Sequence, residues 1–492
     1  MSTEKYKSIA SKLKFEGRAY INGKYVDAVD GEKFETINPA NGDILCSVAK
    51  CNQKDVDLAV QSSRKAFDSG VWSRTSPEHR KEVLLKFAKL LSKEGEENSV
   101  LESVDTGKLI VDCINEVAND APMHFQWYGE LIDKVFGKVG PTDPSITSLV
   151  VKEPIGVVAG VVPWNFPLMM AVWKMAPALA AGCSVIIKPA EDTPLTAIKV
   201  AKTASEAGIP DGVLNVLPGF GNVGEALGRH KDVDAISFTG STEVGGYFMK
   251  YSGESNLKTV GLEMGGKSPF IVLDDAKITE DLIDNAINSA FWNGGQNCSA
   301  NMRQIIHSKI KDEFLDKVSQ RVKSLKVGDP LDLSSNMGSM ISKGHLEKVD
   351  SYIQKGIDEG AKILHGGVSD QDQKGFFAKP TLFDDVKENM TIAQDEIFGP
   401  VAAIQSFEDT DDVIRRANDT QYGLVAYVFT ENMKRGMSVC ERLDYGMVGL
   451  NRGLVSDPAA PFGGSKQSGL GREGGHEGMH EFMETQYISA SW

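Results

Sequence analysis

The chain is short of positive charge. Its 53 lysines and arginines are outnumbered by 68 aspartates and glutamates, for a net charge of −15 at pH 7. That balance argues against nucleic acid and anionic membrane surfaces as partners. There is also no Cys-x-x-Cys pair. The six cysteines, Cys46, Cys51, Cys113, Cys183, Cys298 and Cys440, are scattered. In so long a chain this favours reduced thiols in the cytoplasm over a disulfide framework or a zinc site, and no metal is expected. Long apolar runs are missing too. The longest, residues 167–182, is broken by Lys174 and Pro177 and is too short to span a bilayer. The opening stretch, "MSTEKYKSIASKLKFEGRAYING", lacks the apolar core of a secretory signal. No low-complexity segment and no solenoid-length repeat is visible.

What is present is an ordinary globular composition, 41% hydrophobic and 25% charged over 492 residues. That length suits roughly two or three domains. Residues 19–50 alternate apolar and polar and read as short strands and turns. A helix pattern over 53–68 follows, with Val56, Val60 and Phe67 at helical spacing. Ser76 and Pro77 mark the start of the next helix, with Val83, Phe87 and Leu91 as its buried stripe. Residues 100–135 are also helical in pattern. Residues 137–153, "GKVGPTDPSITSLVVKE", read as two extended pieces joined by a turn. Such a hairpin is either a surface excursion or an arm that pairs with another subunit. The tail 484–492, "ETQYISASW", is strand-like and suited to pair with it.

From 155 to 262 the chain alternates strand and helix. "GVVAGVV", "SVIIKP", "VLNVLPG", "DAISFTG" and "KTVGLE" are separated by helix patterns at 167–182, 194–208, 222–230 and 242–251. Near-continuous apolar strands between helices predict a parallel sheet covered on both faces, the Rossmann class. A second α/β alternation runs from "PFIVL" at 269–273 to about residue 466. Its strands are expected at 303–307, 361–364, 401–406, 425–429 and 447–451.

Two Gly-rich stretches carry the chemistry. "FWNGGQNCSA", residues 291–300, holds Cys298, and "LEMGGKSP", residues 262–269, holds Glu263 and Gly265. A thiol and a carboxylate on such loops are the parts of covalent catalysis on a carbonyl: the Cys attacks and the base activates water. "FTGSTEVG", residues 238–245, follows a strand and opens a helix. Gly240 makes the turn and Ser241 sits at the helix N-terminus, where backbone N–H groups suit a pyrophosphate. The same pattern also describes a plain strand–helix turn. Lys188 and Glu191 in "IIKPAEDTP" lie just past a strand end, where a ribose would sit, or form a solvated charge pair.

Together these stretches resemble the aldehyde dehydrogenase superfamily, from about residue 18 to the C-terminus. The motifs occur in order: "PWNFP" (163–167), "KPAEDTP" (188–194), "FTGS" (238–241), "LEMGGKSP" (262–269), "GQNCS" (295–299), "EIFGP" (396–400) and "PFGGSKQSGLGRE" (461–473). The resemblance implies an α/β fold with a Rossmann-like NAD-binding domain (1–131 and 155–266), a catalytic domain (267–466) and a small β oligomerisation arm (132–154 and 467–492). It implies NAD as cofactor, a small aldehyde as substrate and a homodimer or homotetramer in the cytoplasm. It also implies that Cys298 attacks the aldehyde, Asn165 donates to the resulting oxyanion, and Glu263 activates water to hydrolyse a thioester. Lys174 and Glu473 match residues of a proton relay. Trp164, Lys188, Glu191, Gly240, Ser241, Gly265, Glu396 and Phe398 match cofactor contacts. A fold relative without catalysis would lack the Cys or the Glu, and both are present.

The aldehyde itself is read from a few positions. Family members that take succinic semialdehyde carry two arginines where this chain has Trp173 and Trp292. A bidentate carboxylate clamp is therefore missing. Aminoaldehyde and betaine-aldehyde dehydrogenases carry tryptophan at both. Aromatic faces attract ammonium groups, and Phe166, Trp164 and Phe462 extend the box, with Glu116 as a distal carboxylate. The segment "NRGLVSDPAAPFGG", with Ser456 and nearby Arg452, resembles the semialdehyde branch instead. The expected substrate is an ω-aminoaldehyde of the 4-aminobutanal, guanidinobutanal or betaine-aldehyde type. Neutral aliphatic or aromatic aldehydes and succinic semialdehyde are the alternatives.

Overall fold

The computed structural model describes residues 2–370, 373–453 and 457–491. Its first sheet has eight strands. A parallel centre is formed, edge to edge, by Thr259–Glu263, Ala235–Thr239, Val157–Val161, Ser184–Lys188 and Leu214–Val216. All five are the strands expected from the sequence. The chain enters this centre at Val157–Val161, adds two strands on one side, then returns to add two on the other. The strand order thus reverses between Val157–Val161 and Ala235–Thr239, which opens a crevice at their carboxyl ends.

The strands form because their residues satisfy both faces of a buried sheet. Val157, Ala159, Val161 and Ile186 pack into one apolar cluster, while Val158, Val185 and Ile187 pack into the other. The two-residue period of the backbone separates the sets. The sheet departs from the all-parallel expectation at its margins. Ala19–Ile21 joins Leu214–Val216 antiparallel, and Gly469–Leu470 joins Thr259–Glu263 antiparallel. Short antiparallel pieces end a sheet without offering a long free edge.

A second, seven-stranded sheet runs from Pro269–Val272 to Met447–Leu450. Its strands at Arg303–His307 and Val425–Phe429 have the bounds expected from the sequence. Thr381–Asp384 is a further, wholly buried strand that the sequence reading passed over. Its four residues follow a Gly- and polar-rich stretch and give too short a pattern to register.

The hairpin expected at 137–153 is present as Lys138–Gly140 and Ile146–Pro154, and the tail strand Met483–Ser491 pairs antiparallel with the latter along its whole length. Phe136, Val139 and Tyr487 leave large apolar surfaces exposed there. No helix among the described residues is long and apolar enough to cross a membrane.

Helix ends follow their capping residues. Ser76 accepts from the His79 N–H ahead of Pro77, and Asn52 and Asp55 form a reciprocal capping box. The region 100–135 is more broken than its pattern suggested. The helix Pro77–Thr106 ends at Gly107, and a π-helical stretch, Ile114–Asp120, precedes Ala121–Leu131. Wide turns of this kind often occur at functional sites, and this one carries Glu116 and Asp120.

Trp72 is wholly buried, and its Nε1–H donates to the Leu179 carbonyl at 2.9 Å. Trp72→Ala is expected to destabilise the fold by about 3–5 kcal/mol, read by urea denaturation. A loss below about 1 kcal/mol would contradict this packing.

Candidate active site

One cavity of about 370 Å³ opens at the strand-order reversal. Its lining joins the crevice to both Gly-rich loops. Trp164, Asn165, Phe166, Trp173, Gly240, Ser241, Glu263, Gly265, Trp292, Cys298, Glu396, Phe398, Phe462 and Glu473 all contribute. Most of the residues singled out from sequence therefore meet in one space. Lys188 and Glu191 stand outside that lining, paired with each other at 3.1 Å just beyond the strand Ser184–Lys188. Lys174 lies behind the wall. Ser456 falls outside the described residues.

Cys298 is half-buried at the end of a strained loop. Asn293, Gly294 and Gly295 all have positive φ, at 49°, 63° and 70°. This is costly for Asn and easy for Gly. The turn is held by side chains: Gln296 Nε2 donates to the Asn293 carbonyl at 3.0 Å, and Gln296 Oε1 accepts from the Ile341 N–H at 3.0 Å. Asn165 is fastened to the same loop, its Nδ2 donating to the Gln296 carbonyl at 3.0 Å.

Burial, with Glu396 and Glu263 nearby, pushes the Cys298 thiol up to about 12. Glu263 is itself held well above the usual carboxylate range, first by burial and then by Glu473. One of its oxygens, Oε2, has no hydrogen-bond partner among the described residues. Burial thus biases both groups towards their protonated forms, and attack by sulfur calls for a proton acceptor. The alternative, a site that lowers the thiol's pKa, is not what this geometry builds.

Lys174 is fully buried and reaches Glu473 Oε1 and Thr239 Oγ1, each at 2.6 Å. Ser237 Oγ donates to Glu473 Oε1 at 3.4 Å, while Glu473 Oε2 is unpartnered among the described residues and the residue lines the cavity. The backbones of Glu473 and Phe462 exchange hydrogen bonds at 2.6 and 2.8 Å. The buried Lys174–Glu473 ion pair and an aromatic wall residue are thereby held together.

The crevice end is shaped for a flat, polar group. Trp164 meets His345 and Phe398 edge-on at 5.0 and 5.3 Å. Phe398 adopts φ 57°, and its carbonyl accepts from His345 Nε2 at 2.7 Å. Glu396 Oε1 accepts from the Gly266 N–H at 2.9 Å, and burial raises its carboxyl to about 7. A Cβ on Gly265 would lie 2.2 Å from Glu396 Oε2, so any larger residue there would displace the Glu396 carboxylate. Ser241 caps the helix Thr242–Gly253 through the Val244 N–H. Its hydroxyl is thus engaged, and the free helix N-terminus is what faces the cavity. Reversed strand order, a helix N-terminus and a carboxylate beside a glycine cradle together fit a dinucleotide. The stretch Gly219-x-Gly221-x-x-Gly224 has the spacing of a dinucleotide fingerprint but is not among the residues lining this cavity.

The far end is aromatic and acidic. Phe166 packs on Trp292 at 5.1 Å, and Trp173 on Phe462 at 4.9 Å. Glu116 lines the cavity with Oε1 unpartnered among the described residues, its other oxygen pairing with buried Lys108. Burial raises the Glu116 carboxyl to about 8. Asp120 also lines the cavity, and burial raises its carboxyl. Its carbonyl accepts from His124 Nδ1, and that ring stacks on Trp173. Sequence reasoning missed Asp120, although its spacing of four from Glu116 in a helical stretch was a usable signal. His345 and Lys348, three apart on the helix Lys343–Asp358, were missed as well.

Comparison with known proteins follows this geometry. Residues 25–488 match the Aldehyde dehydrogenase family. The chain is 42% identical to aminoacetaldehyde dehydrogenase of Pseudomonas aeruginosa, covering 100% of this chain and 99% of that protein. A gamma-glutamyl-gamma-aminobutyraldehyde dehydrogenase structure from Burkholderia cenocepacia superposes with TM-score 0.98 at 43% identity, covering both chains fully. An indole-3-acetaldehyde dehydrogenase from P. syringae, solved with NAD+ and IAA, gives TM-score 0.98 at 44% identity, again over 100% of both.

The protonated thiol gives a direct check. Alkylation of Cys298 by iodoacetamide, followed by peptide mass spectrometry, should be slow at pH 7. It should rise about tenfold per pH unit to above pH 10. A rate that levels off below pH 8 would show a thiolate that this environment does not stabilise.

Proposed function

The chain belongs to the aldehyde dehydrogenase family, and from that premise we propose that it oxidises ω-aminoaldehydes to carboxylic acids with NAD. The observation that carries the substrate class is the far wall of the cavity. Four aromatic rings meet there with Glu116 and Asp120, and no arginine is among the described lining residues. An ammonium gains from ring faces, and its charge beside Glu116 and Asp120 favours their ionised forms, whereas a substrate carboxylate finds no arginine at this wall. Two of the relatives are named for amino-substituted aldehydes and one for indole-3-acetaldehyde. Aromatic rings suit an ammonium or an apolar ring alike, and Glu116 and Asp120 are what favour the cation.

In this mechanism Cys298 Sγ gives its proton to the ionised form of Glu263 as it bonds to the aldehyde carbon, and the carbonyl oxygen becomes an oxyanion. Asn165 Nδ2 leaves the Gln296 carbonyl to donate to that oxygen, with the Cys298 N–H as second donor. NAD, when bound, supplies the acceptor for the hydride that leaves the same carbon. Glu263, once deprotonated, takes a proton from water, and the resulting hydroxide attacks the Cys298 thioester. The carbon–sulfur bond breaks, and the sulfur regains a proton. Glu473 and Lys174 carry protons away from Glu263, which their contact at 2.6 Å supports.

Cofactor contacts follow the fitted end of the cavity. Trp164, Gly240 and Ser241 would hold the pyrophosphate, Gly265, Glu396 and Phe398 the nicotinamide side, and Lys188 and Glu191 the adenosine ribose. The same reading assigns residues 1–131 and 155–266 to the cofactor domain, 267–466 to the catalytic domain, and 132–154 with 467–492 to an arm. Exposed Phe136, Val139 and Tyr487 on that arm support a homodimer or homotetramer. The scattered free cysteines support a cytoplasmic enzyme.

Cys298→Ala should bind NAD and form no NADH, and appreciable turnover would remove the residue from this role. Glu263→Gln should release about one NADH per site and then stall. A steady-state rate equal to wild type would send the search to another base. In a substrate panel, 4-aminobutanal should exceed both succinic semialdehyde and a neutral aldehyde of equal length in kcat/KM, by about tenfold over the former. Asp120→Asn should narrow the margin over the neutral aldehyde. If succinic semialdehyde proves best, the aromatic and acidic wall does not select the substrate.

A further inference from the structure

Lys108 is a buried cation that the steps above leave unused. It follows Gly107, whose φ of 77° ends the helix Pro77–Thr106, and its side chain has no exposed surface. Its Nζ donates to Glu102 Oε1 at 3.2 Å and pairs with Glu116 Oε2. The same Nζ lies 3.5 Å from the Asn165 carbonyl and 4.5 Å from the centre of the Phe166 ring. Four groups converge on one ammonium, and two of them belong to the loop that carries the oxyanion amide. Asn293 Nδ2 also donates to the Asn165 carbonyl, at 3.1 Å.

Glu102 extends this bracing. Its Oε2 accepts from the Leu168 N–H at 3.1 Å and from the Thr196 hydroxyl at 3.2 Å. The helix Pro167–Ala181 has no capping side chain at its own N-cap, Phe166. Glu102 supplies the missing acceptor from another helix. Through Glu102, Lys108 is thus tied to the first turn of the helix that leaves the loop, and it holds the loop's carbonyl directly.

Stability alone does not explain such a cluster. Apolar side chains of similar volume often replace a buried ion pair without loss. An apolar side chain cannot, however, donate to the Asn165 carbonyl. We propose that Lys108 is a positioning residue for the reaction: it fixes the Asn165–Phe166 loop so that the Asn165 amide lies against the Cys298 loop. This rests on the reading of Asn165 as oxyanion donor. Misplacement of a catalytic group by about 1 Å costs on the order of 100-fold in rate, so loosening this clamp should be visible in kcat.

The test uses Lys108→Met in the full chain, with a neutral aldehyde that wild type turns over. Its outcome is then independent of the aminoaldehyde assignment. The variant should unfold cooperatively, bind NAD with unchanged Kd and keep KM within about threefold, while kcat falls at least about tenfold. The double variant Lys108→Met/Glu116→Gln removes the stranded carboxylate and should remain slow. Restoration of kcat in the double variant, or wild-type kcat in the single one, would reduce Lys108 to charge balance and overturn the proposal. If the single variant does not fold, the double variant carries the same expectation and the same refutation. Asn165→Ala separates the two readings. Full kcat there removes the oxyanion role itself, whereas a slow Asn165→Ala beside a normal Lys108→Met removes only the clamp.

Discussion

The reversal of strand order beside Val157–Val161 is the constraint on which the site depends. A parallel sheet must return its chain through helices. Where the return changes sides, the two flanking helices part and leave a crevice at the carboxyl ends of the strands. Three strand ends at that crevice supply much of the site. Trp164, Asn165 and Phe166 leave the end of Val157–Val161, Gly240 and Ser241 leave Ala235–Thr239, and Glu263 ends the next strand. The second sheet then brings the Cys298 loop and Glu396 across from the opposite side.

Once the cavity forms, burial governs its chemistry. Cys298, Glu263 and Glu396 are all pushed towards their neutral forms, mainly by desolvation. Three anions in so small a space would repel one another. Burial therefore biases these three groups towards their protonated forms. Two cations sit just behind the wall: Lys174 against Glu473, and Lys108 between Glu102 and Glu116. Each tempers a carboxylate without presenting a positive charge to the far end of the cavity.

Much of this was legible in the sequence. The β-branched strands between helix patterns gave the first sheet almost residue by residue, because their alternation has two buried faces to satisfy. Cys298 and Glu263 stood out because the chemistry of a carbonyl needs a nucleophile and a base, whereas Asn165 was marked only by the family resemblance of "PWNFP". Other features were hidden. The strand Thr381–Asp384 is too short to carry a period. A π-helical turn places Asp120 on the cavity wall, and a helix C-cap aims Lys108 at the Asn165–Phe166 loop. The edge strand Gly469–Leu470 depends on a partner some two hundred residues earlier, at Leu262 and Glu263.

The central claim is that covalent catalysis at Cys298 acts on an aldehyde bearing a cation. The most direct measurement is intact-protein and peptide mass spectrometry of Glu263→Gln quenched after mixing with NAD and 4-aminobutanal. The account predicts an aminoacyl thioester on the peptide holding Cys298, absent from the Cys298→Ala control. NADH release with no adduct at Cys298, or with an adduct on another residue, would contradict it.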